Sequence, residues 1–151
     1  MTRDVLVTVS GVHVPADMPA ESGEPIELMT TGTYDYKDGR HIVEYDEVFE
    51  DVPGITHNVV TMGPLSAVVH KSGQANVDMI FEVGKTNIAC YATPYGDIDM
   101  SFTASSVDVS EEEERLSMMI EYALSMNGQY VANCSLSMKV TPRLTSRTNI
   151  C

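Results

Sequence analysis

The chain has 151 residues, 22 of them acidic against 9 basic, for a net charge of −13 at pH 7. A surface this acidic repels phosphate backbones and anionic lipid headgroups, which argues against nucleic-acid and membrane partners. A single domain of this length removes roughly 70% of its unfolded surface from water, so it needs no disulfide or metal staple. The three cysteines, Cys90, Cys134 and Cys151, form no CxxC pair and no zinc-spaced cluster, which implies a reducing, cytoplasmic setting. The N-terminus lacks the apolar run of a signal peptide, and no stretch approaches the roughly 18 apolar residues of a membrane helix. Asn133-Cys-Ser135 matches a glycosylation sequon, which carries no meaning without a secretory signal.

In chain order, alternating apolar and polar residues predict about ten strands, over 3–10, 26–37, 40–50, 55–63, 65–71, 75–83, 86–94, 97–105, 116–126 and 130–141. The irregular stretch from Pro15 to Pro25 is predicted to be an open lid or crossover, and 143–151 a disordered tail. Short turns at Asp38-Gly39, Ser72-Gly73, Gly84-Lys85, Tyr95-Gly96 and Asn127-Gly128 join the later strands. The pattern is that of an antiparallel meander. It predicts a single all-β, up-and-down barrel of 8–10 strands, with its core over about residues 3–142.

Paired residues in a hairpin face the same side, so each turn fixes a register. A two-residue loop at Asp38-Gly39 sets Tyr34 against Val43, Gly32 against Tyr45 and Thr30 against Glu47. The same arithmetic at Gly84-Lys85 pairs Phe81 with Ile88, Met79 with Cys90 and Val77 with Ala92. At Asn127-Gly128 a three-residue loop with Gly128 at positive φ brings Leu124 level with Ala132 and Tyr122 with Cys134. At Ser72-Gly73 an odd loop aligns Val69 with Val77 and Ala67 with Met79, and turns Lys71 to the apolar face. Cys90 and Cys134 then read as core residues, and Met79, Met100, Met118 and Met138 as gap fillers.

Residues 116–126 are ambiguous. Ser110 and the following glutamates satisfy a helix cap, and Leu116, Met119, Ile120, Ala123 and Leu124 a helical stripe. The period-2 reading is equally complete and is followed by a turn and a matching strand, so a strand is predicted. The run Glu111–Glu114 is then a solvated connection with room for one helical turn.

With these elements placed, the chain resembles the YwiB-like family of small bacterial calycin-type β-barrels, a domain of unknown function. The resemblance is carried by Leu28-Met-Thr-Thr-Gly-Thr-Tyr34, Tyr45-Asp-Glu47, Thr56 and Lys71-Ser-Gly73. It continues through Met79-Ile-Phe-Glu-Val-Gly-Lys85, Thr93-Pro-Tyr-Gly96, Tyr122 and Asn127-Gly128, and covers about residues 3–142. It implies a lipocalin-like barrel and no activity. Where the family tends to have Arg, this chain has Lys71, which forgoes a bidentate contact.

Motifs for phosphate cradling, dinucleotide binding, a nucleophile elbow or zinc hydrolysis do not occur, and no cofactor or metal is implied. Asp97-Ile-Asp99 lacks the further oxygen ligands of a calcium loop. His13, His41, His57 and His70 are scattered and read as surface or rim residues. Inward polarity is the feature that stands out: Tyr34, Tyr45 and Glu47 on one strand pair and Lys71 on another. A buried charge needs a partner or water. Glu47 and Lys71 therefore form an internal ion pair, sit wetted at a mouth, or line a ligand cavity. Tyr91, Thr93 and Tyr95 are candidate rim residues around a Pro/Gly-shaped turn.

The leading functional expectation is a small-ligand-binding barrel without catalysis, with Tyr34, Tyr45, Glu47 and Lys71 as its lining. The alternative is an acidic interaction module docking a basic partner. The remaining possibility, an enzyme, requires His57 or His70 within reach of an inward acid.

Overall fold

The computed structural model describes residues 3–15, 26–49, 52–73, 76–93 and 96–142. The predicted lid, the tail and Tyr95 lie outside the described residues, apart from Pro15 itself. Ten strands are present: β1 (Arg3–Pro15), β2 (Ile26–Lys37), β3 (Arg40–Phe49), β4 (Val52–Met62), β5 (Ser66–Gly73), β6 (Val77–Glu82), β7 (Thr86–Thr93), β8 (Gly96–Glu112), β9 (Arg115–Met126) and β10 (Gln129–Pro142). All neighbours are antiparallel, in the order β6-β5-β4-β3-β2-β1-β10-β9-β8-β7.

The tube therefore closes through its first and last strands, which pair from Val5↔Pro142 to Pro15↔Ala132. The seam falls between β6 and β7. Their turn forms, with Lys85 N–H donating to Glu82 O at 3.1 Å, but no ladder follows. Val83 N–H bonds Leu65 O and Gly84 N–H bonds Ala104 O, so the turn is anchored toward β5 on one side and β8 on the other. The expected pairs Phe81–Ile88, Met79–Cys90 and Val77–Ala92 are thereby overturned.

β7 enters one residue out of phase, which reverses its facing. Ile88 and Cys90 are exposed, while Ala89 packs inward against the core. Phe81 closes the seam with its side chain. Its ring lies 5.4 Å from Phe102 and 4.7 Å from Tyr122, centroid to centroid.

Other registers are refined. Asp38-Gly39 is the expected two-residue turn, with both residues at positive φ and Lys37 opposite Arg40. Asn127-Gly128 is also a two-residue turn, with φ of 50° and 83°, and Met126 faces Gln129. The extra residue sits within β10, between Tyr130 and Ala132, so Leu124↔Ala132 and Tyr122↔Cys134 hold as expected. At the β5–β6 turn the register moves by two residues, giving Val69↔Met79 and Ala67↔Phe81. β5 runs on to pair Gly73 with Thr56, which pushes the turn beyond Ser72-Gly73. Facing is unchanged, and Lys71 points inward.

Residues 115–126 are a strand. Leu116, Met118, Ile120, Tyr122 and Leu124 are buried on one face, while Met119 is exposed. β8 continues past its expected end at 105 because a bulge at Ser105 resets the alternation, taking it from Phe102 and Ala104 to Val107 and Val109. The Ser105 hydroxyl donates to Glu121 O at 3.2 Å. No helical turn forms in the glutamate run: Glu111 and Glu112 are strand, and Glu113-Glu114 make a tight turn with Glu114 at φ 63°.

The middle of the tube is filled. Val7, Val43, Val60, Met62, Phe81, Phe102, Met118, Ile120 and Met138 are all essentially inaccessible. Each such side chain contributes about 1.5–3 kcal/mol by leaving water. Gly32 makes room for this packing, since a Cβ there would meet Glu44 O at 2.3 Å and Val7 Cγ2 at 3.2 Å.

Candidate functional site

The filled middle separates two polar ends, and the meander assigns each residue to one of them. The proximal end carries the start of β1 and the β2–β3, β4–β5, β6–β7 and β8–β9 turns. The distal end carries the β3–β4, β5–β6, β7–β8 and β9–β10 connections.

The four residues expected to form one lining are divided between them. Tyr45, Glu47 and Lys71 belong to the distal half. Lys71 Nζ donates to Glu47 Oε1 at 2.9 Å and to Asn58 Oδ1 at 2.7 Å. Asn58 Nδ2 donates to the same Glu47 oxygen at 2.9 Å. Tyr45, Asn58 and Lys71 are cross-strand neighbours in one row of the sheet, which converges them on the lumen. Asn58 is fully buried and Thr56 nearly so, whereas the Lys71 and Glu47 side chains are 24% and 15% exposed. Burial pushes the Tyr45 phenol well above its ordinary range, with the Glu47 carboxylate adding to the effect. The Tyr45 ring therefore stays neutral. The expected opposition of Thr30 and Glu47 does not occur, because the β2–β3 ladder ends at Gly32↔Tyr45 and the strands part beyond it.

Tyr34 lies at the proximal end, about 13 Å up the strand from Glu47 at the usual rise per residue. Its hydroxyl and His41 Nδ1 are 2.8 Å apart. His41 is buried at the proximal mouth, so of the expected surface or rim positions it takes neither an exposed surface site nor a solvated edge but the inner side of the rim. Its Nε2 faces Glu111 Oε1 at 3.8 Å, longer than a direct hydrogen bond. β3 and β8 are far apart in the sheet order, so Glu111 reaches His41 across the mouth, from the tip of the long β8–β9 hairpin.

Beneath this tip lies a cleft of about 400 Å³. Val5, Leu116 and Val140 supply apolar lining. Tyr34, Arg3, Asp4, Arg115 and Glu111–Glu114 supply ring and charge. The Arg3 guanidinium sits over the Tyr34 ring, 5.4 Å from its centroid. Arg115 Nε donates to Glu112 Oε1 at 2.9 Å. Burial raises the Tyr34 phenol above its ordinary value, with Glu111 adding to the shift.

Glu44 and Asp46 face outward as expected. They hold His57, whose Nδ1 is 2.7 Å from Asp46 and whose Nε2 is 3.1 Å from Glu44. His70 contacts Asp78 on the same outer surface. Neither histidine meets an inward acid. Tyr91 and Thr93 lie in β7 near the distal end, but their side chains, like Tyr95, are outside the described residues. No cluster of three or more His, Cys, Asp or Glu suited to a metal occurs among the described residues.

Asn58, His41 and Glu111 were not singled out from sequence. Asn58 shares parity with Val60, and His41 with Val43 and Tyr45, so the same alternation contains both. Glu111 faces in only because of the bulge at Ser105, which leaves no sequence signal.

A family model described as "Domain of unknown function (DUF1934)" matches residues 12–138. The uncharacterized beta-barrel protein YwiB of Bacillus subtilis (strain 168) is 25% identical over 116 residues, covering 76% of this chain and 80% of the relative. The crystal structure of the ywiB protein from Bacillus subtilis superposes with a TM-score of 0.79 at 21% identity, over 95% of this chain and 94% of that one.

Proposed function

Since the chain belongs to this YwiB-like family, whose domain has no known function, we propose that it is a binding protein, using its barrel as calycins do, which holds a small ligand in the proximal cleft. The supporting observation is a concavity of about 400 Å³ at the mouth of a tube whose middle is filled. That volume lies within the roughly 300–1,000 Å³ of small-molecule sites. Tyr34 is the residue of the expected lining that meets the cleft, joined there by Arg3, Glu111 and Leu116. Tyr45, Glu47 and Lys71 form a second, self-satisfied polar cluster whose role in this reading is to anchor the distal end. The setting is cytoplasmic, supported by the free thiols of exposed Cys90 and buried Cys134. Nucleic acid and membrane are disfavoured by the charge of −13.

The test is native mass spectrometry of protein purified from its own cell extract, compared with a Pro142→Trp variant that fills the cleft from the inward position opposite Val5. A retained molecule lost in the variant supports the reading. It is refuted if wild type and variant carry the same adducts and no fragment from a charge-diverse panel shifts the Leu116 or Val140 methyl resonances.

A second reading, docking of a basic protein, draws on the four successive carboxylates Glu111–Glu114 at the projecting hairpin tip. A partner captured by wild type at low salt but not by a Glu113→Gln/Glu114→Gln variant would favour it.

A further inference from the structure

We propose that the ligand of the proximal cleft is a small organic cation, an alkylamine or alkylguanidine, which takes the place of the Arg3 guanidinium over the Tyr34 ring. This rests on the binding reading above and adds the ligand's chemistry.

The Tyr34 ring presents a face to the cleft with a guanidinium already over it, at a distance within the roughly 6 Å of a cation–π contact. The ring is fixed for that purpose. Its hydroxyl is held at 2.8 Å by His41, itself buried at the start of β3. The occupying cation is dispensable, because Arg3 is exposed and at the start of the described chain, so moving its side chain breaks no ladder. An arginine and a tyrosine stacked for stability alone would need no cavity beside them.

The walls select the same charge. Five carboxylates, Asp4 and Glu111–Glu114, face two guanidiniums, and Arg115 is already engaged by Glu112. Glu111 lies 3.8 Å from His41, beyond hydrogen-bond length, so its carboxylate is open to an N–H donor at the mouth. Val5, Leu116 and Val140 at the base offer apolar contact to a short alkyl chain. An anionic ligand would meet this wall and the whole acidic field as repulsion.

Three probes of one shape and different charge test the idea: butylguanidinium, its neutral isostere butylurea, and pentanoate. Each is titrated into wild type and the Arg3→Ala, Tyr34→Phe and Tyr34→Leu variants, following the Leu116 and Val140 methyl resonances. Dispersion of the remaining spectrum certifies the fold. Butylguanidinium should bind wild type, and butylurea at least about tenfold more weakly, as expected for a charge-selective site. Arg3→Ala should tighten butylguanidinium roughly two- to fivefold, the worth of an exposed cation–π contact. Tyr34→Phe keeps the ring face and should retain binding, whereas Tyr34→Leu should lose it. If butylurea or pentanoate shifts these methyls and butylguanidinium does not, the binding reading stands and the cation is overturned. An affinity unchanged or weakened by Arg3→Ala overturns the role given to Arg3. If none of the three shifts these methyls in any variant, the cation is overturned, and the binding reading falls with it only if the native mass spectra of wild type and the cleft-filling variant also carry the same adducts.

Discussion

Replacing Glu47 by Gln keeps the shape of the distal cluster and removes one charge from it. In the native arrangement Lys71 has two acceptors, Glu47 at 2.9 Å and Asn58 at 2.7 Å, and Glu47 also accepts from Asn58. In the variant the amide oxygen still accepts, but the ammonium has lost its counter-charge. An exposed pair is worth about 0–1 kcal/mol, and removing one partner of a buried pair costs about 3–5 kcal/mol. With side chains 24% and 15% exposed, this pair lies between those limits. The expected loss is about 1–2 kcal/mol, or about 2–8 °C in Tm for a chain of this size. Urea denaturation at pH 7 of wild type, Glu47→Gln, Lys71→Met and the double variant measures it, and the cycle isolates the coupling. The double variant should recover much of the loss, because no unpaired ammonium remains. A Glu47→Gln loss below about 0.3 kcal/mol with no coupling would refute the buried-pair reasoning and make the cluster a wetted rim.

Phe81→Ala should cost about 3–5 kcal/mol, because the fully buried ring is what closes the seam against Phe102 and Tyr122. Hydrogen exchange should quicken first in β6 and β7, and uniform loss of protection would contradict the seam. Gly32→Ala should destabilise by more than about 2 kcal/mol by urea titration, since a methyl placed 2.3 Å from Glu44 O forces the backbone apart. His57 should titrate above its ordinary value of 6.5, raised first by its bond to Asp46 and then by Glu44. Because the folded value is raised, the stabilisation is complete below pH 6.5 and is lost as pH rises through the folded value. Asp46→Asn should bring the NMR-measured value down toward 6.5, and an unchanged value would refute the assignment.

Alternation carried most of the architecture because a barrel with a filled lumen demands an inward apolar residue at every second position. That demand separated strand from helix at Leu116–Leu124, where propensity and capping favoured both. It failed where one residue is inserted. The bulges at Ser105 and near Val131 invert parity without any distinctive residue, so β8 runs past its expected end and the loop at Asn127-Gly128 is one residue shorter than expected, though in its expected place. The β6–β7 turn departs for another reason: alternation implies a hairpin wherever a short turn joins two strands, whereas here the turn's own amides bond outward to Leu65 and Ala104. The site was half legible. Parity turned Tyr34, Tyr45, Glu47 and Lys71 inward, but facing does not say how far along the tube a residue lies. That axial coordinate divides Tyr34 from the other three and brings Glu111 over the mouth.

Placing the discontinuity mid-chain has a consequence for assembly. Strands β1 to β6 and β7 to β10 are two runs of nearest-neighbour hairpins, each able to zip locally, and β1–β10 is the ladder that unites them. Val5 must wait for Pro142, so a ribosome-bound chain holds its first half as an unfinished sheet until β10 has emerged. Cleavage between Glu82 and Thr86 severs no ladder, so the two pieces should complement each other in trans, through the β1–β10 pairing and the lodged Phe81 ring.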